Sequence, residues 1–171
     1  LVNGYVKTHI GAVEVQAGKD ELWWGPMHQS SLNLSNNMNA LTGVKVTTIN
    51  PVKVGGTFRF LRSIKPTFVY AKLSDDRNDV KHPNFVGARV EVSPTKRLVL
   101  GASMTSIMGG KGRHLSLSDY GRFLIGKNAD SALKDKWNSI AGYDVKWTLP
   151  SMEVYGMVYG EDQATGLGFI P

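Results

Sequence analysis

Apolar and polar residues alternate strictly along several stretches of this chain. Residues 86–93 alternate between Val or Ala and Gly, Arg, Glu or Ser, and residues 143–149 alternate between Tyr, Val, Trp or Leu and Asp, Lys or Thr. A period of two is the period of a β-strand, in which successive side chains point to opposite faces of the sheet. The pattern therefore predicts an all-β fold whose sheet has one apolar and one polar face.

The same period predicts about eight or nine strands, many near the 9–11 residues that a tilted membrane-spanning strand needs. Residues 5–18 are predicted as a strand whose phase slips at Gly11, where we expect a bulge or bend. A weaker candidate is 30–35. The remaining candidates, besides the two stretches above, are 43–49, 57–63, 67–73, 98–107 and 152–160.

Short and long connections alternate along the predicted strands. Tight turns are expected at 64–66, 93–96 and 149–151, and long polar connections at 75–84 and 108–138. In an up-and-down meander this alternation places the short connections at one end of the sheet and the long ones at the other. Outer-membrane barrels have this asymmetry, and a soluble sandwich or lipocalin-type barrel can also show it.

We predict an antiparallel up-and-down transmembrane β-barrel, of which residues 1–171 form a single partial segment. The longest loop, 108–138, is predicted to contain a short helix at 119–124. Ser118 is a suitable N-cap for this helix, and Gly126 is a suitable end. We expect the helix to pack across one mouth of the barrel.

The net charge of +6 is concentrated in the middle of the chain. Residues 53–113 contain 12 Lys and Arg against 4 Asp and Glu, whereas the remainder contains 8 against 10. Such a stretch suits an acidic polymer, an anionic lipid surface or solvent, and the chain carries no motif typical of nucleic-acid binding. Charged residues also recur on one predicted strand face: Arg59, Arg89, Glu91, Asp144, Lys146 and Glu153.

The sequence predicts no enzyme, metal or cofactor. It has no cysteine, its four histidines lack paired metal spacing, and no serine lies in a G-x-S-x-G motif. Residues 109–112 read G-G-K-G, but the phosphate-binding loop needs a further glycine upstream and Ser or Thr after the lysine.

Four groups of motifs stand out along the chain: E-L-W-W-G-P with S-L-N-L-S-N-N at 21–37, V-G-A-R-V-E-V-S-P-T at 86–95, G-A-S with G-G-K-G-R at 101–113, and I-A-G-Y-D-V-K-W with Y-G and G-E-D-Q-A at 140–164. In their order and spacing these motifs resemble the capsule assembly protein Wzi family. The resemblance implies a large bacterial outer-membrane barrel with more strands than 171 residues supply, and this chain would be its middle portion. It also implies lectin-like, non-catalytic binding of capsular polysaccharide or exopolysaccharide in capsule assembly or surface attachment. The family often has Arg after G-x-S, where this chain has Met104.

The candidate polysaccharide contacts are Lys111, Arg113, Arg122 and Lys127 of the longest loop, together with Trp24. Cationic groups pair with the carboxylates of uronic acids, and aromatic rings stack on sugar rings. The cations could instead pair with lipopolysaccharide phosphates or solvent, and Trp24 could fix the W-W-G-P turn inside the barrel. We predict binding of acidic polysaccharide, with a porin-type diffusion channel as the alternative and a soluble glycan-acting enzyme as a third class.

Overall fold

The computed structural model describes residues 3–28, 31–34, 39–73, 81–125 and 137–161. They form one nine-stranded antiparallel sheet with one short α-helix and one 3-10 helix. No helix in these ranges is long and apolar enough to cross a membrane. The strands are β1 (Gly4–Ile10), β2 (Val13–Asp20), β3 (Leu41–Thr48), β4 (Val52–Lys53), β5 (Ser63–Lys72), β6 (Asn84–Val92), β7 (Leu98–Met108), β8 (Trp137–Thr148) and β9 (Glu153–Glu161); the helices are α1 (Leu117–Leu124) and the 3-10 helix Gly56–Leu61.

The sheet is an up-and-down meander. Each long strand pairs antiparallel with the next along the chain, and the short β4 pairs with the start of β5. Strands β1 and β9 are its two edges and do not pair with each other in the described residues. The prediction of an all-β antiparallel fold is confirmed, and the open sheet is consistent with part of a barrel.

The two ends of the sheet carry different connections. One end, here called the turn end, has the connections 11–12, 49–62, 93–97 and 149–152. The opposite end, here called the loop end, has 21–40, 73–83 and 109–136. The predicted turns at 93–96 and 149–151 are confirmed. The turn predicted at 64–66 is wrong, because this segment continues through β5 and pairs with Val90, Glu91 and Val92 of β6.

Two predicted strands differ in the structure. Residues 5–18 form the hairpin β1–β2, because Gly11 at φ +59° lets the chain reverse within two residues rather than bulge. Residues 57–63 lie mostly in the 3-10 helix, so Arg59 is not on the charged strand face as predicted. Of the weak candidate 30–35, only 31–34 are described, and Leu34 forms an isolated bridge with Trp24.

The strand register separates two faces of the sheet. Directly paired residues share a face, so Lys7, Gln16 and Lys45 lie on the same side as Arg89 and Asp144; this side is called the polar face. The opposite side, called the apolar face, displays large apolar side chains that are 39–77 % exposed. These are Val6, Ile10, Val13, Val44, Val90, Leu100, Tyr143, Trp147, Val154 and Val158.

Helix α1 packs on the apolar face at the loop end. Its Phe123 is 1 % exposed and lies in a cluster with Val86, Met108 and Trp137. The helix is therefore on one side of the sheet rather than across a mouth. Its N-cap is Ser116 instead of Ser118: the Ser116 N–H donates to Oδ2 of Asp119 at 2.8 Å, and this bond satisfies a donor at the helix start. Gly126 lies outside the described residues.

Candidate functional site

A cavity of about 470 Å³ opens at the loop end, where β6 begins and β7 ends. We call it the rim pocket. Four of its lining residues have basic side chains, and none of the nine lining residues is acidic. The lining residues are His82, Asn84, Gly109, Gly110, Lys111, Arg113, His114, Leu115 and Tyr120.

The glycine-rich stretch at 109–112 builds one wall of the rim pocket as a tight turn. Gly109, Gly110 and Gly112 have φ of +67°, +113° and +84°, which favours glycine over residues with a Cβ. The Arg113 N–H donates to the Gly110 carbonyl at 3.0 Å, and the Lys111 N–H donates to the Lys81 carbonyl at 2.8 Å. The turn thereby holds Lys111 at an exposed tip beside the 81–84 segment.

Lys111 and Arg113 are the two lysine or arginine residues that line the rim pocket. Lys111 is exposed and Arg113 half-buried, and neither forms an ion pair within the described ranges. Burial and interactions with Tyr70, including a hydrogen bond, raise the pKa of the Tyr120 hydroxyl. Lys111 and Arg113 thus place positive charge beside the aromatic ring of Tyr120, an arrangement that suits a carboxylated sugar.

The other predicted contacts do not meet in the rim pocket. Arg122 lies on α1, is exposed and is not a lining residue. Lys127 lies outside the described residues. Trp24 is 5 % exposed and packs on the polar face, which leaves its ring little surface for a sugar. Sequence reasoning missed His82 and Asn84, because only the backbone bond between Lys111 and Lys81 shows that the two loops meet. It also missed His114, although this residue directly follows Arg113 in the same loop.

Residues 22–28 and 31–34, called the inner segment, fold over the polar face. Leu22, Trp24 and Leu34 form a buried cluster with side chains of β5 and β6. Trp24 lies directly over Gly87, where an added Cβ would come within 2.6 Å of the indole ring. The Trp24 N–H donates to the Leu34 carbonyl at 3.0 Å, and Ser31 donates to the Trp24 carbonyl.

The inner segment reaches from the loop end toward the turn end. His28 Nε2 lies 3.2 Å from Oε2 of Glu153, the first residue of β9, and the His28 ring meets the edge of Tyr155 with centroids 5.7 Å apart. The Thr105 hydroxyl donates to Oδ1 of Asn33 at 2.9 Å. The segment therefore contacts β5, β6, β7 and β9 and covers much of the polar face between them.

The charges in the centre of the polar face neutralise one another. Arg89 donates to both carboxylate oxygens of Asp144, at 2.5 and 2.9 Å, and also to Oε1 of Glu91 at 3.0 Å. Arg89 and Asp144 lie on β6 and β8, and the pair crosses β7 over Gly101, where an added Cβ would come within about 2.4–2.5 Å of the ion pair. Five of the six residues predicted to share a charged face do so; Arg59 is the exception.

The family profile of the capsule assembly protein Wzi matches residues 1–169. The chain belongs to this family. The family membership predicted from the four motif groups is thereby confirmed.

Two relatives of this Wzi-family chain are longer proteins. A solved structure from Escherichia coli is described as Wzi, an outer membrane protein involved in group 1 capsule assembly and a carbohydrate-binding β-barrel. The two sequences are 28 % identical, and the structures superpose with a TM-score of 0.78. The match covers 98 % of this chain and 35 % of the Escherichia coli chain. An uncharacterized 55.8 kDa protein in the cps region of Klebsiella pneumoniae is 28 % identical over 161 residues, 90 % of this chain and 31 % of its own length. The chain spans about a third of these relatives.

The Wzi-family motifs occupy distinct parts of the structure. W-W-G-P lies in the inner segment, G-G-K-G in the rim pocket, and the motifs of β6 and β8 supply Arg89 and Asp144. Met104, at the position where the family often has Arg, packs against the cluster around Phe123 on the apolar face. No group of three or more His, Asp or Glu suited to a metal occurs within the described ranges.

Proposed function

We propose that this chain is part of a bacterial outer-membrane β-barrel that binds capsular polysaccharide or exopolysaccharide without catalysis, in capsule assembly or surface attachment. Its family and its similarity to a carbohydrate-binding barrel support this function. The apolar face supports the location, because soluble proteins rarely expose so many large apolar side chains on one surface, whereas a barrel turns such a face to lipid.

The rim pocket is the proposed contact for the polymer, and the observation that carries this proposal is that Lys111 and Arg113 form no ion pair among the described residues. The long loops of outer-membrane barrels face the outside of the cell, which places Lys111 and Arg113 where a surface polymer would meet them. Their charge favours polymers with carboxylates, such as those containing uronic acids. Each exposed ion pair between the protein and the polymer contributes about 0–1 kcal/mol, so retention of the polymer depends on many such contacts along its length.

The polar face supports binding over passage through a channel. Its central charges are paired, and the inner segment lies over the strands that would line a pore. A porin-type channel needs an open, water-filled interior. The paired charges and the covering segment both leave less of that interior free, so the polymer-binding function is favoured and the diffusion channel is second.

The proposed function predicts charge-dependent retention of an acidic polymer. We expect the full-length protein in detergent to bind immobilised polygalacturonate and not dextran, and the Lys111→Glu/Arg113→Glu variant to bind about tenfold more weakly at low salt, or about 1.4 kcal/mol. Affinities are measured by biolayer interferometry. The matched control is Lys96→Glu/Arg97→Glu, which makes the same charge change at exposed residues of the turn end.

The comparison of these two variants decides the site. Equal weakening in both would mean that overall charge, and not the rim pocket, retains the polymer. Unchanged binding in the Lys111→Glu/Arg113→Glu variant would reject the rim pocket, and equal binding of dextran would reject the preference for acidic polymers.

A further inference from the structure

Helix α1 has three differently composed sides. One side, with Asp119 and Phe123, is buried against the sheet. A second side is polar and exposed and contains Ser118 and Arg122. The third side is apolar yet exposed: Leu117 is 90 %, Leu124 57 % and the following Ile125 65 % exposed. At 100° per residue Leu117 and Leu124 project within about 20° of each other and about 100–160° from Asp119 and Phe123, and Ile125 follows them at the C-cap.

The exposed apolar side of α1 continues the apolar face of the sheet. Phe123 anchors the helix on Val86, Met108 and Trp137, close to the ends of β6, β7 and β8 at the loop end. Toward the turn end the same face continues through exposed residues such as Val90, Leu100 and Tyr143. The helix is therefore level with one edge of this apolar surface.

We propose that α1 lies in the membrane interface, with Leu117, Leu124 and Ile125 inserted among the lipid acyl chains of the leaflet at the loop end. The inference rests on the proposed function, in which lipid covers the apolar face. An amphipathic helix in this position buries its apolar side at the headgroup boundary and keeps its polar side in water. In water these three exposed side chains would form an apolar patch, whose contact with water is unfavourable.

The lipid contact would also fix the height of the rim pocket. Tyr120 of α1 and Leu115, just before the helix, both line that pocket. Tyr120 is also hydrogen-bonded to Tyr70 of β5. An α1 held by lipid on one side and by the sheet on the other keeps the pocket at the membrane surface, where the polymer would lie against the cell.

The experiment measures lipid and water exposure at single spin labels. The 171-residue sequence contains no cysteine. The full-length protein is therefore prepared with one introduced cysteine as its only thiol. It is then reconstituted in phosphatidylcholine–phosphatidylglycerol vesicles. Labels at Leu117→Cys and Leu124→Cys report the apolar side, Ser118→Cys the polar side, and Val90→Cys the sheet. Collision with oxygen, which dissolves in lipid, is compared with collision with a water-soluble nickel chelate. Because Leu117 is almost fully exposed, its substitution leaves the contacts of α1 with the sheet intact.

We expect residues 117 and 124 to match residue 90, with high oxygen and low nickel collision, and residue 118 to show the reverse. Nickel access at 117 and 124 equal to that at 118 would overturn the placement of α1 while leaving a lipid-exposed residue 90, and with it the barrel, intact. Shielding of 117 and 124 from both reagents would also overturn it, because protein would then cover the helix. Water exposure at residue 90 would contradict the membrane location itself.

Discussion

At the scale of single residues, the pair Arg89–Asp144 is the most tightly determined feature of the polar face. Both side chains are nearly inaccessible, at 4 % and 2 % exposed, and the bidentate bond spans a strand because Gly101 has no side chain. The sequence predicts that both residues share a face, since alternation fixes the side of each strand. It cannot predict the pairing, because that depends on the register of β6, β7 and β8.

Removing Asp144 is expected to destabilise the folded protein strongly. Asp144→Ala leaves the buried Arg89 guanidinium without its main partner, which costs about 3–5 kcal/mol of unfolding free energy. Glu91→Gln is the matched control, because Glu91 pairs with the same Arg89 but is 37 % exposed, so its change costs about 0–1 kcal/mol. Urea unfolding of the full-length protein in detergent, followed by tryptophan fluorescence, measures both. Similar losses for the two variants would contradict the dominant role of the buried pair.

At the scale of elements, local patterns predict the long strands well and the reversals poorly. The phase slip at Gly11 fits a bulge or a two-residue turn equally well, and only the pairing of β1 with β2 decides. The alternation T-F-R-F at 57–60 predicts a strand, yet β5 already pairs with β3, β4 and β6, and these residues form an exposed 3-10 helix. Patterns record which face a residue prefers, whereas strand partners depend on distant parts of the chain.

The inner segment is expected to depend on one of its two adjacent tryptophans. Trp24→Ala removes a side chain that is 5 % exposed from the cluster over β5 and β6 and should cost about 3–5 kcal/mol. Trp23→Ala is the control, because Trp23 is 36 % exposed and its loss should cost clearly less. The same urea titration, now followed by circular dichroism at the β-sheet band, separates them. A larger loss for Trp23→Ala would show that the inner segment is not held as described.

At the scale of the whole molecule, the two ends of the sheet differ in the structures that they carry. The turn end carries mostly short connections, and the loop end carries the rim pocket, α1 and the origin of the inner segment. Loop-length alternation predicts this division from sequence. Lys111 and Arg113 are predicted as a pair because they lie two residues apart, whereas His82 joins them only through the contact between two separate loops.

A covered polar face predicts a barrel that does not conduct steadily. In planar bilayers the full-length protein should show no stable porin-like steps, because the inner segment lies over β5, β6, β7 and β9. Deleting residues 22–34 should increase the frequency of conducting events. Large, steady conductance in the unaltered protein would favour the diffusion channel instead.

The reach of the inner segment also implies an order of events during folding. His28 meets Glu153 across 125 positions of sequence, so this contact cannot form until β9 has been added to the sheet. Leu22 and Trp24, in contrast, meet β5 and β6 much earlier in the chain. Contacts over long sequence separations form slowly, because they require closing a large loop. We therefore expect the contacts of Leu22 and Trp24 to form first and the contact between His28 and Glu153 to form last.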